Sequence, residues 1–335
     1  MDEDLAIQNH MNKLLGICIP TYNRADALRE CLNSFIPWAK SNSFPIFIVD
    51  DCSTDDTENV ILEARENYKD IIYYKNEKNI GMYLNILKVI SVSDTKFVWL
   101  LGDDDLIINK NLNDILQYIN SDYDFVVLNS VTYDPTMSVV LSEKVIDCDK
   151  NSVYLPGFHE KLLVDLSLWA YHGYMSAMIA KKEIFIGETA PYFNEDFPYF
   201  KNNWIPLIMF YRGIVGKKGI FRCEPLIKNR GDNRISRQTF WERSVIGHIR
   251  ALESLREFGY SDSTLKEAVG LNFSQTIYFS TKAKQVSKDT ILYNSYVKQS
   301  KIIKLNFKII TYFFDRVPYK LFKFVLKTFK KFKKK

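Results

Sequence analysis

The chain has 335 residues, of which 47% are hydrophobic and 25% are charged, and its formal net charge is +5. This composition supports a sizeable core and excludes an intrinsically disordered chain. The N-terminus lacks the basic and apolar regions of a signal peptide, and no apolar run reaches the roughly 18 residues of a membrane span, so we expect neither export nor a spanning helix.

The first 130 residues alternate short apolar runs, typical of strands, with amphipathic segments, typical of helices. Predicted strands cover residues 14–19, 45–49, 71–74, 96–101 and 125–128, and predicted helices cover residues 25–39, 56–68, 81–92 and 112–119. This alternation predicts βαβ units, and therefore an α/β fold with a mainly parallel sheet flanked by helices. Ligands of such sheets bind beyond the carboxyl ends of the strands.

The pattern is less regular from residue 132 onward. Residues 132–157 predict irregular or edge structure. Further predicted elements are a strand over 174–180, a helix over 204–211, one or two short strands over 219–227, and helices over 240–258 and 264–279.

Residues 317–335 place aromatic and aliphatic side chains at helical spacing on one face and lysines on another. Residues 301–335 carry twelve Lys and Arg side chains against one acid, Asp315. A basic amphipathic helix of this kind predicts association with an anionic membrane surface, here the inner face of the cell membrane. The alternatives are a solvated tail, a protein-binding helix or nonspecific nucleic-acid contact; we expect no specific nucleic-acid partner.

Five cysteines are scattered along the chain without a Cys-x-x-Cys pair. Their odd number and their spacing predict reduced thiols in a cytoplasmic protein and no cysteine zinc site.

Three consecutive aspartates, Asp103, Asp104 and Asp105, follow Gly102 at the end of the fourth predicted strand. Adjacent carboxylates repel one another, so a cation or a polar ligand is expected beside them. Mn²⁺ or Mg²⁺ shared with a substrate diphosphate would meet that need. A solvated acidic loop or a helix cap is the alternative.

Polar clusters also follow the first two predicted strands. After the first strand, Tyr22 could stack on a base and Arg24 could approach phosphates, although the same residues suit an ordinary turn. After the second strand, Asp51 could accept hydrogen bonds from a base, or the cluster could simply cap the next helix. Asn79 and Gly81 precede a predicted helix whose N-terminus favours anions such as a diphosphate, and plain capping is again the alternative.

Two common nucleotide-binding motifs are absent from the sequence. It contains neither Gly-x-x-x-x-Gly-Lys-Ser/Thr nor Gly-x-Gly-x-x-Gly after the first strand, which argues against a P-loop nucleotidase and a dinucleotide dehydrogenase.

Four segments together resemble glycosyltransferase family 2, namely residues 19–24, 49–55, 79–81 and 99–105. Residues 225–233 are similar to the abequosyltransferase-like branch, which builds bacterial surface polysaccharides. The resemblance implies a GT-A fold over residues 14–235, followed by a helical extension over 236–316 and the basic helix over 317–335. It also implies a metal-dependent, usually inverting transfer from a nucleotide-sugar donor to a surface glycan of the capsule, O-antigen or teichoic type, with the acceptor expected to be lipid-linked.

The resemblance implies roles for individual residues. Asp51 would bind the base, Asp104 the ribose and Asp105 the metal, with Asp103 as a second metal residue. The remaining residues implied in nucleotide-sugar binding are Pro20, Tyr22, Asn23, Arg24, Asn79, Gly81 and Arg230.

The general base expected of the family is a carboxylate just before a helix rich in Trp and Leu. The sequence offers Glu195 and Asp196 several residues early, whereas Asn202 and Asn203 stand directly before Trp204. Because an amide cannot act as a general base, we predict Asp196 as the base, with Glu195 second.

Two other functions remain open at this point. A sugar-nucleotide nucleotidyltransferase would share the metal and the sheet, although residues 20–24 lack the glycine-rich loop expected of one. A sugar-nucleotide binding module without a working base is the non-enzymatic alternative.

Overall fold

The computed structural model describes residues 14–108, 111–166, 174–187, 204–231 and 247–268. Within these residues the strands are β1 (Leu15–Thr21), β2 (Ile46–Asp50), β3 (Ile71–Lys75), β4 (Phe97–Leu100), β5 (Leu106–Ile107), β6 (Phe125–Tyr133), β7 (Val140–Ser142), β8 (Ser152–Tyr154), β9 (Met178–Lys181) and β10 (Gly219–Arg230). The α-helices are α1 (Ala25–Ser41), α2 (Thr57–Asn67), α3 (Met82–Val92), α4 (Asn113–Ile119), α5 (His159–Asp165), α6 (Lys182–Ile186), α7 (Ile205–Gly213) and α8 (Gly247–Ser254). Short 3-10 helices cover Met175–Ala177 and Leu255–Phe258, and a further helix covers 262–268.

The strands form one mixed sheet in the order β3-β2-β1-β4-β9-β6-β10-β5, with β7 beside β6 and β8 beside β10. Strands β3, β2, β1 and β4 are parallel, as are β6 and β10. Strand β9 runs antiparallel to both β4 and β6 and so joins the two parallel parts. The predicted α/β fold with a mainly parallel sheet is therefore confirmed.

The central strands are buried on both faces. Every residue of β1, β2 and β4 is buried, which explains why these strands read as continuous apolar runs rather than as alternating ones. Helix α1 packs against α2, while α3 contacts α6, α6 contacts α7 and α7 contacts α8. Between β6 and β10 the Phe125 ring occupies the space beside Gly219, where a Cβ atom would lie 2.1 Å from the ring carbons.

One predicted strand differs from the structure in an informative way. Residues 174–180 were expected to be extended throughout, but Met175–Ala177 forms a 3-10 turn before β9 begins. The turn lets the Ser176 carbonyl accept a hydrogen bond from Trp99 Nε1 at 2.8 Å, while the Ser176 hydroxyl accepts the Gly102 N–H at 2.8 Å. These contacts with the end of β4 outweigh the extended preference of an apolar run.

The prediction that all the cysteines are reduced is wrong for one pair. Cys148 and Cys223 form a disulfide, although 75 positions separate them in the chain. The fold brings them together because Asn129 in β6 donates hydrogen bonds to the carbonyl oxygens of Ile146, at 2.8 Å, and Cys223, at 2.9 Å. Spacing in the sequence carries no sign of this proximity.

Several predictions fall partly or wholly outside the described residues. Helix α8 and the 3-10 turn after it lie inside the predicted helix over 240–258, and the helix over 262–268 begins two residues before the predicted helix over 264–279. The remaining parts of these two predicted helices are not described. The domain boundary at residue 235 and the basic segment 317–335 also lie outside. No helix in the described ranges is both long and apolar enough to cross a membrane.

Candidate functional site

The loops after β1 and β2 are tied together at the carboxyl edge of the sheet. The backbone N–H of Asn23 donates to Ser53 Oγ at 2.8 Å, and the N–H of Thr54 donates to Asn23 Oδ1 at 2.8 Å. Asn23 takes the left-handed region with φ 51°, which Asn tolerates better than most residues do. Because β1 lies between β2 and β4, this double loop faces the end of β4, where the aspartates stand.

Asp51 fixes a third loop, the one that leads into α3. Its carboxylate accepts the N–H of Ile80 at 2.8 Å, the N–H of Gly81 at 2.9 Å and Asn76 Nδ2 at 2.9 Å. Asn79 Oδ1 also accepts the Gly81 N–H, at 3.0 Å. Asp51 is only 2% exposed, and its hydrogen bonds hold the loop that precedes the helix.

A buried amide network supports that loop from below. Asn85 in α3 donates to the Val49 carbonyl at 2.8 Å, and its Oδ1 accepts Asn76 Nδ2 at 3.0 Å. Lys88 Nζ donates to Asn76 Oδ1 at 2.7 Å. Asn76 and Lys88 were missed by sequence reasoning because neither lies in one of the recognised motifs.

Two of the three aspartates meet the end of β1. Asp103, which is 8% exposed, accepts a hydrogen bond from the Thr21 hydroxyl at 2.8 Å. The guanidinium of Arg24 pairs with Asp104 Oδ2 and lies 3.9 Å from Asp103 Oδ1. Thr21 stands inside a recognised motif, but nothing in the sequence assigned its hydroxyl a role.

Asp105 turns into the protein instead. Its Oδ2 accepts the Ser176 hydroxyl at 2.5 Å and its Oδ1 accepts the backbone N–H of Arg230 at 3.2 Å. Asp105 is 3% exposed and Ser176 is fully buried. Sequence reasoning missed Ser176, because a serine within an apolar segment gives no periodic signal.

Burial and repulsion raise the pKa values of the two buried carboxyl groups. The pKa of Asp103 is raised to about 7, first by burial and then by the charge of Asp104, against the opposing effects of Arg24 and Thr21. The pKa of Asp105 is also raised to about 7, again by burial and then by Asp104, and the Ser176 hydrogen bond opposes the shift. The neighbouring groups therefore do not fully offset the cost of keeping these two buried carboxyl groups charged.

Arg230 frames the other side of the cluster through several contacts. Its side chain pairs with Glu30, its Nε donates to the Asp104 carbonyl at 3.1 Å, and its Nη1 donates to the Pro135 carbonyl at 3.0 Å. Its charge is thus directed at Glu30 and at backbone oxygens rather than at the three carboxylates. Glu30, on α1, is a further residue that the sequence did not reveal.

The aspartate cluster fits a cation that takes most of its ligands from elsewhere. Within the described parts of the chain, no three His, Cys, Asp or Glu side chains are arranged to hold a metal ion by themselves. The Asp104 side chain is 23% exposed, whereas both oxygens of Asp105 already accept hydrogen bonds. One accessible carboxylate beside two buried ones suits Mg²⁺ or Mn²⁺, which usually keeps waters and substrate phosphates as ligands.

The remaining predicted residues divide into exposed, buried and undescribed positions. Tyr22 is 45% exposed at the cleft edge, where its ring is open to stacking, whereas Pro20 is buried within β1. Glu195 and Asp196 lie outside the residues that the structure describes.

Comparison with known proteins gives consistent matches. The sequence model of glycosyl transferase family 2 matches residues 16–185, about half of the chain. Abequosyltransferase RfbV of Salmonella typhimurium is 28% identical over 268 residues, which cover 76% of this chain and 78% of that protein. Residues 1–349 of Staphylococcus aureus TarS, solved with UDP-GlcNAc, superpose with a TM-score of 0.57 at 19% identity and cover 82% of this chain and 77% of that one. The mannosyltransferase PcManGT of Pyrobaculum calidifontis, solved with GDP-Man and Mn²⁺, superposes with a TM-score of 0.53 at 12% identity and covers 89% of this chain and 83% of that one.

Proposed function

This chain belongs to glycosyltransferase family 2 and has the GT-A fold, and from that premise we propose that it moves a sugar from a nucleotide-sugar donor to a growing bacterial surface glycan. The observation that carries the proposal is the joining of three strand-end loops beside a charged aspartate cluster at one sheet edge. These loops and the aspartate cluster suit a donor that has a flat base, a ribose and a diphosphate.

The base side of the cleft is formed by the loops after β1 and β2. Tyr22 is exposed enough to stack on a base, and Asn23 holds its loop in place. Asp51 was predicted to bind the base directly, but its hydrogen bonds with the loop of Asn79 and Gly81 favour a positioning role as well.

The diphosphate side is formed by the aspartates and the two arginines. A bound Mn²⁺ or Mg²⁺ ion would neutralise the charge that develops on the departing nucleoside diphosphate. The sequence assigned the metal to Asp103 and Asp105 and the ribose to Asp104. The exposure of Asp104 and the hydrogen bonds on Asp105 favour Asp104 as the first residue that a cation meets, with the two buried carboxylates behind it.

The roles proposed on the acceptor side belong to residues that were predicted from the sequence. Asp196, with Glu195 second, remains our predicted general base, which would take the proton of the acceptor hydroxyl in an inverting transfer. The basic segment 317–335 would place the enzyme at the inner face of the membrane, beside a lipid-linked acceptor.

The decisive assay offers a panel of nucleotide sugars with Mn²⁺ and a membrane lipid extract and follows release of the nucleoside diphosphate. We expect release with one donor, lost in Asp104→Asn and kept in Asp122→Asn, whose side chain is 96% exposed. No release above the Asp104→Asn level with any donor would contradict the transferase proposal. Pyrophosphate production would favour a nucleotidyltransferase, and binding without turnover would favour an inactive module.

Membrane association has a separate test. Removal of residues 317–335 should move the protein from the membrane fraction to the soluble fraction and reduce its binding to vesicles that contain anionic lipid. Unchanged partitioning would contradict the anchoring role without touching the catalytic proposal.

A further inference from the structure

Arg24 holds a position on Asp104 that a metal ion would also need. Its guanidinium pairs with Asp104 Oδ2 and lies 3.9 Å from Asp103 Oδ1. A cation bound to the same carboxylate would lie close to the guanidinium, and the repulsion between the two positive charges would weaken the binding of each. The geometry therefore sets the arginine and a divalent cation in competition.

Arg24 is built so that its charged end can leave while its backbone stays in place. Its carbonyl accepts the Leu28 N–H at 2.9 Å in the first turn of α1, and the preceding Asn23 is held by Ser53. Its side chain is 32% exposed, so the guanidinium lies at the open side of the cluster. A partly exposed ion pair of this kind contributes little net stability, so replacing it with another pair costs little free energy.

Arg230 is less accessible than Arg24. Its side chain is 13% exposed and is held at three points, by Glu30, the Asp104 carbonyl and the Pro135 carbonyl. Of the two arginines at the cluster, Arg24 is thus the more exposed, and its guanidinium is the one that an incoming ligand reaches first.

We propose that Arg24 is an internal counter-ion, which neutralises Asp104 before the donor binds and is displaced when a divalent cation arrives with the donor diphosphate. The freed guanidinium then pairs with that diphosphate, since Arg binds phosphate oxygens in a bidentate manner. This inference rests on the proposed nucleotide-sugar chemistry and adds that the diphosphate is needed for tight binding of the cation. A cation alone binds weakly because Arg24 opposes it, and a diphosphate removes the opposition by giving Arg24 a new partner.

The test measures Mn²⁺ affinity by electron paramagnetic resonance on the full chain without nucleotide. Arg24→Met keeps the length of the side chain and removes its charge, so it should bind Mn²⁺ roughly tenfold more tightly than the wild type, the scale of one removed charge at a partly exposed site. Arg24→Lys keeps the charge and should stay near the wild type. Arg29→Met is the matched control, because Arg29 lies on the same helix, pairs with Glu63 and should leave the affinity unchanged.

An unchanged or weaker Mn²⁺ affinity in Arg24→Met, in a variant whose circular dichroism matches the wild type, overturns the exchange. The same holds if Arg24→Met binds Mn²⁺ more tightly but keeps that gain after Asp104→Asn is added, since the cation would then lie elsewhere. Neither result depends on turnover, so failure to transfer a sugar with any donor would contradict the proposed function and leave the exchange standing.

A second measurement uses the wild-type chain and does not depend on whether the methionine variant folds. Addition of Mg²⁺ should shift the Nε–Hε magnetic resonance signal of Arg24, assigned with Arg24→Lys, and leave that of Arg29 in place. A fixed Arg24 signal at Mg²⁺ concentrations that saturate the site overturns the proposal.

Discussion

The substitution Asp103→Asn should stabilise the protein relative to the wild type, and this difference in the free energy of unfolding should be larger at alkaline pH than at acid pH. Asp103 is 8% exposed, and burial beside Asp104 raises its pKa from 3.8 to about 7. Between these values the folded protein keeps a proton that the unfolded chain releases, so stability falls as the pH rises toward 7. An asparagine can still accept the Thr21 hydroxyl hydrogen bond and carries no such pH dependence.

The expected magnitude follows from the size of the shift. Each pH unit between the two pKa values changes the free energy of unfolding by about 1.4 kcal/mol for one carboxyl group. Because protonation of Asp105 relieves part of the same repulsion, we expect the advantage of Asp103→Asn to grow by about 1–3 kcal/mol between pH 5 and pH 8.

The assay is equilibrium unfolding in urea, followed by tryptophan fluorescence at pH 5 and pH 8 in the presence of EDTA. Asp122→Asn is the control, since that side chain is 96% exposed and lies outside the aspartate cluster. An Asp103→Asn advantage that is equal at the two pH values, or larger at pH 5, would refute the reasoning from burial and repulsion.

Three further predictions follow from the contacts of single side chains. Ser176→Ala removes the hydroxyl that donates to Asp105, and the buried groups left unpaired should lower the free energy of unfolding by about 1–3 kcal/mol and reduce the rate of sugar transfer. Urea unfolding measures the first effect and a diphosphate-release assay the second. An unchanged stability would contradict the buried contact. Asp51→Asn presents an amide to the loop N–H groups in place of a carboxylate, so the affinity for the nucleoside diphosphate should fall at least severalfold in calorimetric titration, and unchanged binding would show that the loop does not need the charge. Dithiothreitol should lower the melting temperature of the wild type, because the disulfide of Cys148 closes a long loop and contributes about 2–4 kcal/mol, whereas Cys148→Ser should melt at one temperature with or without reductant.

The parallel half of the sheet was predictable because its strands are short apolar runs between amphipathic segments. Strands β1, β2 and β4 are buried on both faces, so each appears in the sequence as an uninterrupted apolar stretch with a polar cluster at its end. The convergence of these clusters follows from the direction of the strands, which is why Asp51 and Asp104 could be placed at one edge from the sequence.

The contacts across the chain were not predictable, because they join segments with no common periodicity. Ser176 reaches Gly102 over 74 positions, and the disulfide spans 75 positions, so neither leaves a local trace. The burial that raises the pKa of Asp105 also depends on where Ser176 and the end of β10 are placed by the completed fold.

The position of β9 has a consequence for synthesis of the chain. Leu100, which ends β4, precedes Met178, which begins β9, by 78 residues, yet β9 is the strand that covers the free edge of β4. At about 5–20 residues per second, a ribosome needs roughly 4–16 s to make the intervening segment. During that interval the buried run Phe97–Leu100 has one unpaired edge, which is a template for association with other chains. Slower elongation or a shortage of chaperones should therefore reduce the soluble yield of this enzyme before it affects the stability of the finished protein.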